Sequence, residues 1–221
     1  YSPENYGEAY WGPVTMKHAV ALSLNNAAVW TLNDIGLSPV LNFARDLELG
    51  LVAEDRNLAM ALGGLTHGVS PLKMTAAYVP FANGGTYFSP NPILRVLDNA
   101  GNVLLDNPVQ EKRVLTPQEA YLMTDILQAV MEYGTGKGVP IERPSAGKTG
   151  TTNEQNDLWF VGYTPDIVVG VYIGNDDNSP VTGYGGSTAG PIWAEYINRA
   201  LEDLPPREFP VPQNIVDNVM I

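Results

Sequence analysis

Two apolar runs stand out along the chain, at 157–163 and 166–174, with only Thr164-Pro165-Asp166 as a break. Their length and β-branched content, bounded by Pro and Gly, read as two strands joined by a hairpin turn. Within the second run, Ile167 to Ile173 does not alternate with polar residues and reads as an interior strand covered on both faces. Just before the pair, Lys148-Thr149-Gly150-Thr151 reads as a third, edge-proximal strand, with helices packed over the sheet.

Helical spacing shows elsewhere. Residues 14–36 read as two helices with a polar corner at 23–26, ending at Gly36. Three further helices start with a hydroxyl residue followed by Pro: Ser38-Pro39, Ser70-Pro71 and Thr116-Pro117, leading to Gly50, Gly84 and Gly134. Glu119 completes a capping box with Thr116. A last helix is predicted from about Pro191 to Leu201. Residues 92–106 read as a hairpin, 134–147 and 183–190 as Gly-rich loops, and the Pro-rich tail after Leu204 as extended and peripheral.

Composition narrows the function classes. A formal net charge of -12 over 221 residues leaves no basic stripe to neutralise phosphates, so nucleic acid is not an expected partner. The absence of cysteine excludes disulfides and thiolate-bound metal. His18 and His67 lack ligand-like spacing and read as structural, so neither metal nor cofactor is expected. No apolar run spans a bilayer. The opening residues read as the middle of a domain, so any membrane anchor is expected outside these residues.

The chemistry concentrates at Lys148-Thr149-Gly150-Thr151. A cation with two hydroxyls suits a carboxylate, Gly150 lets a substrate lie close to the backbone, and the Thr151 N–H suits a developing oxyanion. Gly147-Lys148-Thr149 also matches the end of a phosphate-binding loop, but Glu142 occupies the position where that motif needs a glycine. The bland alternative is a strand with an ordinary surface lysine.

Taken jointly, the motifs resemble the transpeptidase domain of class A penicillin-binding proteins. Ser23-Leu24-Asn25 matches that family's Ser-x-Asn and Lys148-Thr149-Gly150 its Lys-Thr-Gly. Residues 69–87, Gly134-Thr135-Gly136, 157–166 and 185–193 are similar to further family stretches. The family's Ser-x-x-Lys is not found upstream of Ser23. The string Ser70-Pro71-Leu72-Lys73 falls after it, and the Pro explains Ser70 as a helix cap. The resemblance implies an α+β fold, an antiparallel sheet sandwiched between helices of the β-lactamase/transpeptidase type, incomplete here. Residues 1–221 would be the C-terminal portion of one such domain.

The resemblance further implies a D,D-transpeptidase acting on the D-Ala-D-Ala end of a peptidoglycan stem peptide, with β-lactams as mimics of that end. Ser23 would relay a proton, Asn25 would orient the substrate amide, and Lys148, Thr149 and Thr151 would hold the terminal carboxylate beside Gly150. The implied partners include an upstream segment bearing Ser-x-x-Lys and a glycosyltransferase domain, at the extracytoplasmic face of a bacterial membrane. A serine β-lactamase is the enzymatic alternative, although it typically has Asp where Leu24 stands; a non-catalytic module on the same fold is the other. Three expectations follow: residues 148–174 form one three-stranded sheet with the last helix on one side and the helices of 14–85 on the other; Ser23, Asn25 and Lys148 converge, away from Ser70 and Lys73; and residues 1–221 alone are not acylated by penicillin.

Overall fold

The computed structural model describes residues 3–152 and 154–216. Its helices are α1 (Met16–Ala21), α2 (Asn25–Ile35), α3 (Leu37–Asp46), α4 (Pro71–Ala82), α5 (Pro117–Glu132) and α6 (Gly190–Ala200). Its strands are β1 (Thr86–Phe88), β2 (Arg95–Leu97), β3 (Val103–Asp106), β4 (Glu111–Arg113), β5 (Ala146–Thr151), β6 (Asp157–Tyr163) and β7 (Val168–Gly174).

The two apolar runs and the Lys-Thr-Gly segment form one antiparallel sheet in the order β5-β6-β7. Lys148 lies opposite Val161, which in turn lies opposite Gly170. The most buried strand is β6, with Leu158, Phe160, Val161 and Tyr163 all in the core. The expected interior position of Ile167–Ile173 is corrected: β7 is an outer strand of this sheet. Its unbroken apolar pattern reflects cover from α4 on one face and α6 on the other. A strand covered on both faces can still lack a neighbour along one edge.

Alternation along the strands sends side chains to two cores. On one face Ala146, Tyr163 and Val168 meet Leu127 and Val130 of α5, with Val20 of α1 and Phe81 of α4 packed against them. On the other, Phe160 meets Trp193, Ala194 and Ile197 of α6. Burying each of the Val, Leu, Ile and Phe side chains among these contributes about 1.5–3 kcal/mol. The Trp193 indole N–H donates to the Gly162 carbonyl at 3.2 Å, and only glycine fits at 162: a Cβ there would lie 2.9 Å from the Trp193 ring. Of the helices within 14–85, α1 and α4 join the first core. In contrast, α3 packs on α4 through Phe43, in a cluster with Leu47, Ala76 and Ala77.

The hydroxyl-Pro starts hold at two of three places. Ser70 caps α4, and Thr116 caps α5 in a capping box whose Glu119 carboxylate accepts the Thr116 N–H at 2.8 Å. Ser38 does not cap: α3 begins two residues earlier than expected, at Leu37 with Gly36 as its N-cap, and the Ser38 hydroxyl accepts instead from Arg56. The β2–β3 hairpin forms as expected, while β1 and β4 pair with no counterpart in the sequence reading. Residues 185–189, expected as loop, wind one π-helical turn into α6. The tail is not peripheral. Phe209 is buried against the Tyr163 ring, and Arg207 pairs with Asp166 at 2.7 Å.

Candidate active site

The site starts at the corner between α1 and α2. The Leu24 N–H donates to the Ala19 carbonyl at 2.9 Å and the Ser23 N–H to the Val20 carbonyl at 3.1 Å. That pair of bonds is a Schellman ending, whose pivot residue must take the left-handed conformation. The pivot is Ser23, with φ of 56°. Leu24 is buried beyond it and anchors the turn. The corner therefore turns the Ser23 hydroxyl outward at a position where glycine is the ordinary occupant.

Facing it is β5. The Thr152 N–H donates to the Asp157 carbonyl at 3.1 Å, which marks a hydrogen-bonded pair beyond the end of the ladder. By antiparallel alternation, Thr149–Phe160 and Thr151–Leu158 are the non-hydrogen-bonded pairs, so the backbone groups of Thr149 and Thr151 point away from β6. The Thr151 N–H thus faces the outer edge of the sheet, as an oxyanion donor requires. Lys148 bends over the same edge. Its ammonium donates to Ser23 Oγ at 2.8 Å and to the Thr149 carbonyl at 3.0 Å. Burial pulls its pKa down to about 8. Among the described residues no carboxylate pairs with it. A partly buried cation with one proton to spare and no carboxylate paired with it among the described residues is chemically suited to an anionic group.

Two hydroxyls of the same strand have partners of their own. Thr151 Oγ1 accepts the Gly185 N–H at 3.0 Å, and Thr149 Oγ1 lies 2.7 Å from Thr135 Oγ1. Gly150 is fixed by packing, because a Cβ there would lie 3.0 Å from Trp159 Cβ.

Ser23 and Lys148 are therefore brought together as expected, with Thr149, Gly150 and Thr151 alongside. Asn25 does not share the contact. It opens α2, and its side-chain amide donates to the Glu4 carbonyl at 2.8 Å. Ser70 and Lys73 lie elsewhere: Ser70 Oγ accepts the Lys73 N–H as a cap of α4, the helix that covers β7 on the opposite side of the sheet from β5. Thr135 and Gly185 lie in family-like stretches, but no side-chain pattern in the sequence marks either as a site residue. His18 stacks on Tyr133, with ring centroids 6.0 Å apart.

The family model for the penicillin binding protein transpeptidase domain matches residues 2–198. Penicillin-binding protein 1A of Aquifex aeolicus (strain VF5) is 38% identical over 221 residues, covering 98% of this chain and 30% of that protein. Penicillin-binding protein 1A of Clostridium botulinum is 35% identical over 220 residues, covering 98% of this chain and 26% of that protein. The chain thus spans less than a third of the length of these relatives. Among solved structures, penicillin-binding protein 1A from Haemophilus influenzae superposes with a TM-score of 0.83 at 26% identity, over 97% of this chain and 38% of that one.

Proposed function

The chain belongs to the penicillin-binding protein transpeptidase family, and from that premise we propose that it supplies the carboxylate clamp and proton relay of a peptidoglycan D,D-transpeptidase. The observation that carries this reading is the 2.8 Å contact between Lys148 Nζ and Ser23 Oγ on the open edge of β5. A peptide ending in D-Ala-D-Ala, or a β-lactam resembling it, would lay its carboxylate against Lys148 and the hydroxyls of Thr149 and Thr151. Its scissile carbonyl would receive the Thr151 N–H as one oxyanion donor.

The nucleophile of this reading is a serine of a Ser-x-x-Lys motif carried outside residues 1–221. That serine gives its proton to the lysine of the same motif and bonds to the penultimate carbonyl carbon, and the terminal D-alanine leaves as an amine that takes up a proton. An amine of a neighbouring strand then loses a proton and displaces the serine oxygen, which is reprotonated. Ser23, held by Lys148, would pass the proton to the departing amine. Asn25 would orient the substrate amide once its side chain leaves the Glu4 carbonyl. In this reading the protein works at the extracytoplasmic face of a bacterial membrane and also contains a glycosyltransferase domain. No helix among the described residues is long and apolar enough to cross a membrane.

Covalent labelling with a fluorescent penicillin tests the proposal. Residues 1–221 alone should not be labelled, and joining the Ser-x-x-Lys segment should give labelling. In the joined protein Lys148→Ala should slow it by at least tenfold, the loss of a charge-assisted bond. Labelling of residues 1–221 alone, mapped by mass to any serine, would refute the assignment. Rapid hydrolysis of the acyl-enzyme by the joined protein would favour a β-lactamase instead.

A further inference from the structure

We propose that Thr135 is a positioning residue that sets the Thr149 hydroxyl as a hydrogen-bond donor and so tunes the site for a free carboxylate. This rests on the carboxylate clamp proposed above.

The starting point is how the two clamp hydroxyls are wired. Each threonine hydroxyl has one proton and two lone pairs. Thr151 Oγ1 receives the Gly185 N–H at 3.0 Å. An amide N–H can only donate, so the Thr151 proton stays free for another acceptor. Among the described residues Thr149 has no such backbone donor. Its partner is the Thr135 hydroxyl at 2.7 Å, and only one proton can occupy that bond. If Thr149 donates, it turns lone pairs towards the groove and repels an anion. If Thr135 donates, the Thr149 proton is free, and a carboxylate completes a chain of hydrogen bonds from Thr135 through Thr149. Such chains strengthen each member. An anion therefore selects the second arrangement strongly, while a neutral acceptor such as an ester carbonyl selects it only weakly.

The position of Thr135 is built. Its N–H donates to the Ala21 carbonyl at 3.0 Å, at the end of the helix that leads to Ser23. Gly134 is pressed against Ala21, where a Cβ would lie 2.8 Å from the Ala21 carbonyl carbon. A Cβ on Gly186 would collide with the Thr135 carbonyl and lie 3.3 Å from Thr149 Cγ2. Thr135 is the one residue of Gly134-Thr135-Gly136 with a side chain. It ties the Ser23 corner to β5 and the π-helical turn.

The test compares acylation of the full polypeptide by benzylpenicillin and by its methyl ester, which lacks the anionic oxygen. Thr135→Val should slow the acid about five- to tenfold, the loss of one hydrogen bond in a chain, and leave the ester within about twofold. Thr135→Ser should restore the acid rate, and adding Thr135→Val to Thr149→Val should cause little further loss. Thr135→Ala is read in the same way should the valine variant not fold. Equal slowing of acid and ester, or no slowing, would overturn the proposal. The clamp itself is tested by Lys148→Met and Thr149→Val. If these fail to separate acid from ester, the clamp reading fails; if they separate them and Thr135→Val does not, only the role of Thr135 fails.

Discussion

Burial beneath the Ser23 corner lowers the Lys148 ammonium from 10.5 to about 8, and this gives the fold a pH dependence of definite sign. Below about pH 8 the folded and unfolded chains both hold the proton, and the folded chain bears the desolvation of the charge. Between about 8 and 10.5 the unfolded chain binds more protons than the folded one, so stability rises with pH through that window and levels above it. One pKa unit corresponds to about 1.4 kcal/mol, which sets a ceiling of about 3 kcal/mol. Solvent along the open edge of β5 reduces this to about 1–2 kcal/mol. Acylation should move the other way: above pH 8 the neutral amine loses its hold on the substrate carboxylate and labelling should fall. The assay is denaturant unfolding of the wild-type protein and of Lys148→Met from pH 7 to 10.5, compared as a difference. Tyr78, pushed up to about 12 by burial, and Tyr163, raised by the same cause, destabilise the fold at the alkaline end in both proteins and cancel. A difference curve that is flat or falls with pH would refute the reasoning.

Other perturbations have comparable reach. Gly162→Ala places a Cβ 2.9 Å from both the Ala146 carbonyl oxygen and the Trp193 ring, and should lower stability by about 2–3 kcal/mol in a urea titration. Phe209→Ala empties the space beside Tyr163 and should lower stability by about 3 kcal/mol, read as a lower melting temperature. Gly185→Ala drives a Cβ into the Trp159 carbonyl, which displaces the N–H that engages Thr151. It should slow penicillin labelling about tenfold by the loss of a donor arrangement to a charged group.

Much of this was legible because it rests on repeated local signals. The strands of 146–174 are marked by several apolar residues each, and α4 and α5 by a hydroxyl cap followed by Pro. Where one residue decides, the sequence is silent. Phe209 is a single aromatic in a Pro-rich stretch with no period to reveal which core it enters. β1 and β4 have three residues each, and their pairing depends on chain segments far apart. For β7 the apolar pattern reported cover on its two faces, and edge pairing leaves no trace in side-chain character. At the site, Ser23 and Lys148 were expected together from the family resemblance. The side-chain direction of Asn25 and the hydroxyl pair of Thr135 and Thr149 depend on acceptor positions that only the folded backbone supplies.

The left-handed turn at Ser23 sets two selections against each other. Glycine at this pivot would relieve about 1 kcal/mol of backbone strain, and the Schellman bonds and buried Leu24 would remain. A library of position 23 sorted for melting temperature should therefore enrich glycine, while one sorted for acyl transfer should keep the hydroxyl. The inactive variant would be the better folder. A surviving fold at this corner is thus no guide to a surviving activity, and a thermostability screen run without an activity check would steadily erase the residue that faces Lys148.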